Sequence, residues 1–316
     1  MALEFGMLTF SRNTVRSELT GGLGNQIFAF AAGLAISESR QSKLILDCGS
    51  IDYTHAGPGV DIRSFLSLEE YEFRRFPNLP PILRRLRDSL LFRLPFLKRF
   101  YYRIFGIVNE TDIGAGQKIF DFLKPYREQN GDGGLHLKGY FQDLEIVEEV
   151  RESLIRRVRE SYSTGGIHLL NSSENKDVLG IHVRGGDFLN PNWKLLVGNL
   201  SRDFYSRAIA EVVARGFHFD VVWVFTNDPH YARSILGDID LEFCFVDESI
   251  IRSPAESFNL MRRCKGLITA NSTYSYLAAF LSNDLKLVII PKHFSKAGNQ
   301  INGVPDHWVK IDSLWQ

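Results

Sequence analysis

Cysteine is scarce in this chain: three in 316 residues, Cys48, Cys244 and Cys264, with no Cys-x-x-Cys spacing. That excludes a disulfide framework, offers no zinc site and reads as three buried, reduced thiols. Net charge is also missing, with 37 Lys plus Arg against 37 Asp plus Glu and a pI of about 7.1. A nucleic-acid footprint would need a basic excess, so no nucleic-acid partner is expected. There is no run of eighteen apolar residues, hence no expected spanning helix. The opening stretch MALEFGMLTFSRNTVRSELT has no basic stretch leading into a long apolar core. No secretory leader is expected there, and the expected compartment is the cytoplasm.

Familiar cofactor signatures are lacking as well. No Walker lysine loop and no His-Glu-x-x-His occur, and the eight histidines are scattered. A dinucleotide fingerprint starting at Gly22 fails at Ile27. Asp238-Ile239-Asp240 has the Asp-x-Asp spacing by which some sugar-nucleotide enzymes hold a divalent cation. It falls after Gly237 and before LEFCFV, where a surface turn is the better reading. No metal and no resident cofactor are expected.

What is present is an ordinary globular composition, 44% hydrophobic and 23% charged, with a regular alternation of element types. Gly21 to Ser39, rich in small residues, reads as a turn and a closely packed helix, followed by the strand KLILD (43–47). LHLKGYF (135–141) reads as a strand and residues 143–161 as helix. Tyr162 to Asp177, rich in Gly, Ser and Asn, is the best linker candidate, giving domains at 1–165 and 166–316. Beyond it, VLGIHVR, VVWVF, FCFV, GLITA and LKLVII alternate with the helical segments 201–216, 229–236, 254–264 and 272–281. That pattern predicts a parallel sheet of α/β class, whose ligands bind beyond the carboxyl ends of its strands. Residues 84–106 mix Arg and Lys with Leu, Phe and Tyr. Peripheral contact with the inner, anionic face of a membrane is one reading; a helical hairpin with solvated arginines is preferred.

Four constellations carry chemistry. In GIHVRGGD, His182 and Arg184 alternate along a strand toward Gly185, Gly186 and Asp187. Arg suits a phosphate through its planar fork of donors; a strand-end salt bridge between Arg184 and Asp187 is an equal alternative. Asn227 and Asp228 follow an apolar strand, and either accept from a nucleoside or cap the helix starting at Pro229. Asn271, Ser272, Thr273 and Ser275 lie at the start of an apolar helix, where free N–H groups and the helix dipole favour an anion; local capping is compatible with that. Gly24, Asn25 and Gln26, in GGLGNQ, either present amides to a polyhydroxylated ligand or form a simple turn.

Together, GGLGNQIFAFAAGLA, KLILD, GYFQ (139–142), GIHVRGGDF, FTND and LMRRCKGLITANSTYS resemble the α-1,2-fucosyltransferase family in content and order. The resemblance implies a GT-B architecture, two Rossmann-like domains facing a cleft, the N-terminal one acceptor-side and the C-terminal one binding a GDP-sugar. It implies transfer of L-fucose from GDP-fucose to the 2-hydroxyl of a galactoside, with inversion and without a metal, in glycan or surface-polysaccharide synthesis. Arg184 matches the donor-diphosphate arginine, His182 and Asp187 the other positions of that motif. Asn271 to Thr273 match a stretch near the donor phosphates, and Asp228 a nucleoside-side carboxylate. The chain departs from the family at Gly185, where a second Arg is usual, at Tyr276 and Leu277, where paired tryptophans are usual, and at Gly266, where His is common. These departures keep open another GDP-sugar or linkage, or an idle carbohydrate- or membrane-binding protein on the same scaffold.

Overall fold

The computed structural model describes residues 13–51, 61–75, 96, 98, 102, 106–113, 117–128, 134–186 and 191–316. The chain divides into two compact units, one taking residues up to 59 together with 68–152, the other 60–67 and 153–316. Asp187 and nearly all of the basic segment 84–106 lie outside the described residues.

The first unit is built on strands β1 (Thr14–Glu18), β2 (Lys43–Asp47), β3 (Glu72–Arg74), β4 (Ile107–Asn109) and β5 (Leu135–Lys138), in the order β3-β2-β1-β5-β4. All of its pairings are parallel. β1 is its centre, although TVRSE reads in sequence as part of a polar lead-in. Val15 is wholly buried, the Ser17 hydroxyl donates to the Ala29 carbonyl at 2.7 Å, and Arg16 forms a buried ion pair with Asp47, Nε to Oδ2 at 3.1 Å. Each polar side chain thus finds its partner on a distant element, as burial requires. The neighbouring helices are α1 (Leu23–Ser39), α2 (Ile119–Glu128) and α3 (Leu144–Glu149). β5 stops at Lys138 rather than running to Phe141, because Gly139 and Phe141 both take positive φ. The helical stretch 143–161 breaks at Val150 into α3 and α4 (Arg151–Arg157).

Apart from residues 60–67, the second unit starts within α4, at residue 153. The stretch read as a linker instead contains α5 (Thr164–Ser172), capped by Ser163, whose hydroxyl accepts from Gly166 N–H at 3.3 Å. Its glycines serve close packing: a Cβ on Gly165 would lie 2.0 Å from the Ile250 carbonyl oxygen, and one on Gly166 2.2 Å from a Glu256 carboxylate oxygen.

The chain continues through β6 (Val178–Val183), α6 (Pro191–Leu196), α7 (Arg202–Ala214), β7 (Val221–Thr226), α8 (Pro229–Leu236) and β8 (Phe243–Val246). It then runs through α9 (Pro254–Arg263), β9 (Gly266–Ile268), α10 (Thr273–Phe280), β10 (Leu287–Pro291) and β11 (Val309–Ile311). These strands form a parallel sheet in the order β11-β10-β9-β6-β7-β8. Every residue of β6 is buried. Leu179, Ile181 and Val183 pack with Phe204, Tyr205 and Val224 in a core of the second unit, each large apolar side chain contributing roughly 1.5–3 kcal/mol by leaving water. Cys48 and Cys264 are buried thiols, whereas Cys244 is only half-buried. Asp238 lies in an exposed turn, ion-paired with Arg202. Among the described residues no helix is long and apolar enough to cross a membrane.

Candidate active site

From β6 the second unit's chain builds outward to β7 and β8; it later returns on the other side with β9, β10 and β11. The strand order therefore reverses between β6 and β9, which is where parallel sheets take ligands at their carboxyl ends. Arg184 to Gly186 leave β6 at this point, Thr269 to Ser272 leave β9, and Asn227-Asp228 leave the adjacent β7.

The loop after β6 is clamped from β7. Gly185 N–H donates to Asn227 Oδ1 at 2.9 Å and Asn227 Nδ2 returns a bond to the Gly185 carbonyl at 3.2 Å. Gly186, at φ +62°, donates to Asp228 Oδ2 at 3.4 Å. The other carboxylate oxygen of Asp228 accepts from Tyr231 N–H at 2.9 Å, capping α8. Both oxygens are thus occupied by backbone donors. Asn227 and Asp228 shape the loop, and the glycine N–H groups are spent on them rather than turned toward a ligand.

His182 is 3% exposed. Burial, and then the nearby Arg184 charge, push its pKa down to about 3, so the imidazole is neutral. Its ring lies 5.8 Å from that of Tyr274, and its carbonyl accepts from the Tyr205 hydroxyl at 3.1 Å. It sits beneath the loop rather than on its surface.

Asn271 is 1% exposed, and its amide donates to the carbonyls of Gly198 at 3.0 Å, Phe294 at 3.3 Å and Val197 at 3.5 Å. Ser275 is wholly buried, its hydroxyl donating to the Ser272 carbonyl at 3.3 Å. These two fix the approach to α10 and offer no outward donor. Ser272 occupies the N-cap of α10 but makes no side-chain cap bond, and Thr273 is half-exposed. The first turn of α10 therefore keeps the partial positive charge of a helix N-terminus without a hydroxyl cap.

Arg184 is half-buried, and its charge adds to the burial-driven fall of the His182 pKa and opposes the burial-driven rise of the Tyr274 pKa. Tyr274 is the second residue of α10, and Arg184 and α10 follow β6 and β9, the two strands between which the order reverses. A cation and a helix N-terminus at one sheet edge both favour an anion there. Among the described residues no group of three His, Cys, Asp or Glu side chains could hold a metal ion.

In the first unit, Gly24 and Gln26 are buried within α1, and Gln26 Nε2 donates to the Gly21 carbonyl at 2.9 Å. Gln26 holds its turn closed instead of presenting an amide. Asn25, half-exposed, accepts from Gln142 Nε2 at 2.9 Å.

A residue missed in sequence is Tyr231. Tyr231 fills the space beside Gly185, where a Cβ would come within 2.8 Å of its ring and 2.9 Å of Asp228 Cβ. At Gly266 a Cβ would meet the Phe217 ring at 2.9 Å. Tyr276 is buried against Phe294 and Trp308, ring centroids 5.5 and 6.0 Å away, with its hydroxyl donating to Gln300 Oε1 at 3.2 Å. These departures from the resemblance each have a packing partner. The position of Tyr231, three residues after an Asp-Pro helix start, was the available signal for the first.

Two parallel α/β units, each with a strand-order reversal in its sheet, make a GT-B-like architecture. The model of Glycosyl transferase family 11 matches residues 132–311, and the chain belongs to that family; it is a glycosyltransferase. It is 26% identical to the O-antigen biosynthesis glycosyltransferase WbnK of Escherichia coli, over 93% of this chain and 99% of that one. It is 27% identical to an alpha-1,2-colitosyltransferase of the same organism, over 94% and 99%. The fold is similar to that of the fucosyltransferase NodZ from Bradyrhizobium, with a TM-score of 0.51 and 13% identity over 86% of this chain and 94% of that one.

Proposed function

We propose that this glycosyltransferase moves L-fucose from GDP-fucose to the 2-hydroxyl of a galactoside, with inversion, as a cytoplasmic step in the synthesis of a glycan or surface polysaccharide. The bond from the sugar's anomeric carbon to GDP breaks, its electron pair leaving on the diphosphate. A bond from the acceptor oxygen forms on the opposite face, and the acceptor proton passes to a base or to solvent. Negative charge develops on the leaving diphosphate, so preorganised donors aimed there lower the barrier most.

What supports this reading is that Arg184 leaves β6 and the helix α10, whose Ser272 N-cap makes no side-chain cap bond, follows β9 at the edge where the strand order reverses. Arg184, with the half-exposed Thr273 and the backbone N–H groups at the start of α10 that follows the buried Ser272, holds the diphosphate. His182, Asn227, Asp228, Asn271 and Ser275 act one step back, fixing the loops that present those groups. Asp187 and His182 are the side chains of the GIHVRGGD motif able to take the acceptor proton, and Gly24, Asn25 and Gln26, in the first turn of α1, lie on the acceptor side with Asn25 as the accessible amide. A second reading has support of its own: the full-length likeness to a colitosyltransferase favours colitose as an alternative transferred sugar.

Arg184→Ala should lower GDP release from GDP-fucose with a galactoside acceptor by about 10²–10³-fold, while circular dichroism and the melting temperature stay near wild type. Turnover retained in a folded Arg184→Ala enzyme removes Arg184 from the mechanism. A GDP-colitose arm with the same acceptors decides the sugar.

A further inference from the structure

The first unit repeats the topological feature of the second. From β1 the chain builds out to β2 and β3, then returns on the other side through β4 and β5, so its order reverses between β1 and β5. The space beyond their carboxyl ends is a ligand position by the same rule. Two turns flank it, residues 19–22 after β1 and Gly139–Gln142 after β5. Gln142 donates to Asn25, in the first turn of α1 just after residues 19–22, at 2.9 Å, and the Tyr140 ring lies over Gly21, 3.1 Å from where a Cβ there would sit.

The turn after β5 is held in an unfavourable conformation. Gly139 has φ +143° and Phe141 φ +52°, the latter in the left-handed region that bulky side chains avoid. Two features keep it there. The Phe141 side chain is wholly buried, and the Glu110 carboxylate accepts from the N–H groups of Tyr140 at 2.7 Å and Phe141 at 3.1 Å. What the clamp delivers is Tyr140, an aromatic residue left 36% exposed at the switch point. Backbone strain held by its surroundings around an exposed aromatic points to recognition. Tyrosine offers a flat apolar face at low entropic cost, and the Asn25 and Gln142 amides stand beside it. A galactopyranoside presents the complement: one face of C–H bonds with hydroxyls around its rim.

We propose that Tyr140 is the stacking platform for the acceptor hexoside, a specificity-determining residue in the first unit, with the Asn25–Gln142 pair reading the sugar's hydroxyls. This rests on the proposed galactoside acceptor.

The test uses the full-length enzyme, Tyr140→Ala and Tyr140→Phe, with three readouts. These are acceptor KM with GDP-fucose, GDP affinity by calorimetry, and saturation-transfer NMR with methyl galactoside and other methyl hexosides in the presence of GDP. Tyr140→Ala should raise acceptor KM about tenfold, with GDP affinity unchanged, and Tyr140→Phe should recover most of the loss. An unchanged acceptor KM in Tyr140→Ala overturns the proposal, and so does Tyr140→Phe failing as badly as Ala, which would assign the effect to the hydroxyl. If wild type turns over no GDP-fucose, the proposed function falls, and NMR still decides the platform. Transfer to hexoside C–H protons that disappears in Tyr140→Ala supports it. No transfer to any hexoside in wild type, or transfer that survives in Tyr140→Ala, overturns it.

Discussion

At position 182 the imidazole is neutral because burial, reinforced by the Arg184 charge, pushes its pKa down to about 3 from an ordinary 6.5. The unfolded chain takes up a proton near 6.5 that the folded chain refuses until about 3. Stability is therefore fully present above 6.5 and is lost as pH falls through that window. One such proton gives a slope of at most about 1.4 kcal/mol per pH unit. His136 in the first unit shifts in the same direction, through burial and then the charges of Arg16 and Lys138. Urea midpoints should fall between pH 7 and pH 4, and His182→Asn should show a shallower fall; identical slopes would refute this account of His182. The pairing of His182 with Arg184 is plain in the sequence. That one is buried and the other half-exposed is not, because it depends on β9 and α10, which arrive about ninety residues later.

At the scale of elements, the loop after β6 and the first turn of α8 form one fitted piece. Asp228 was legible both as a helix cap and as a site residue, and it serves the loop by capping: its carboxylate joins Tyr231 N–H to Gly186 N–H. The Tyr231 ring then leaves no space at position 185. Gly185→Ala should destabilise the protein by about 1–3 kcal/mol through overpacking. Combined with Tyr231→Ala it should cost less than the sum of the two single changes, since the residues touch. Strict additivity in denaturation experiments would show that the contact carries no energy. The same scale explains the misread linker. Glycine and serine in 162–177 suggested a flexible joint, whereas Ser163 donates to the Glu256 carboxylate at 2.7 Å and the glycines let α5 approach Ile250 and Glu256.

Across the whole molecule, the second unit was largely readable because its strands are continuous apolar runs; PHYARSIL and FCFV mark the bounds of α8 and β8. The first unit was harder. Its central strand, TVRSE, hides its role behind Arg16 and Ser17, whose partners Asp47 and Ala29 lie elsewhere in the sequence. For the site, sequence supplied the residue types and their shared sheet edge. It could not supply their directions: Asn271 turns inward because carbonyls at 197, 198 and 294 surround its amide.

The account stands on a nucleotide diphosphate bound between β6 and β9, and a crystal of the enzyme grown with GDP tests that most directly. The expected result is ordered diphosphate oxygens within hydrogen-bond distance of the Arg184 guanidinium and of backbone N–H groups at the start of α10. Ordered GDP elsewhere on the molecule, or a diphosphate from which Arg184 turns away, would contradict it.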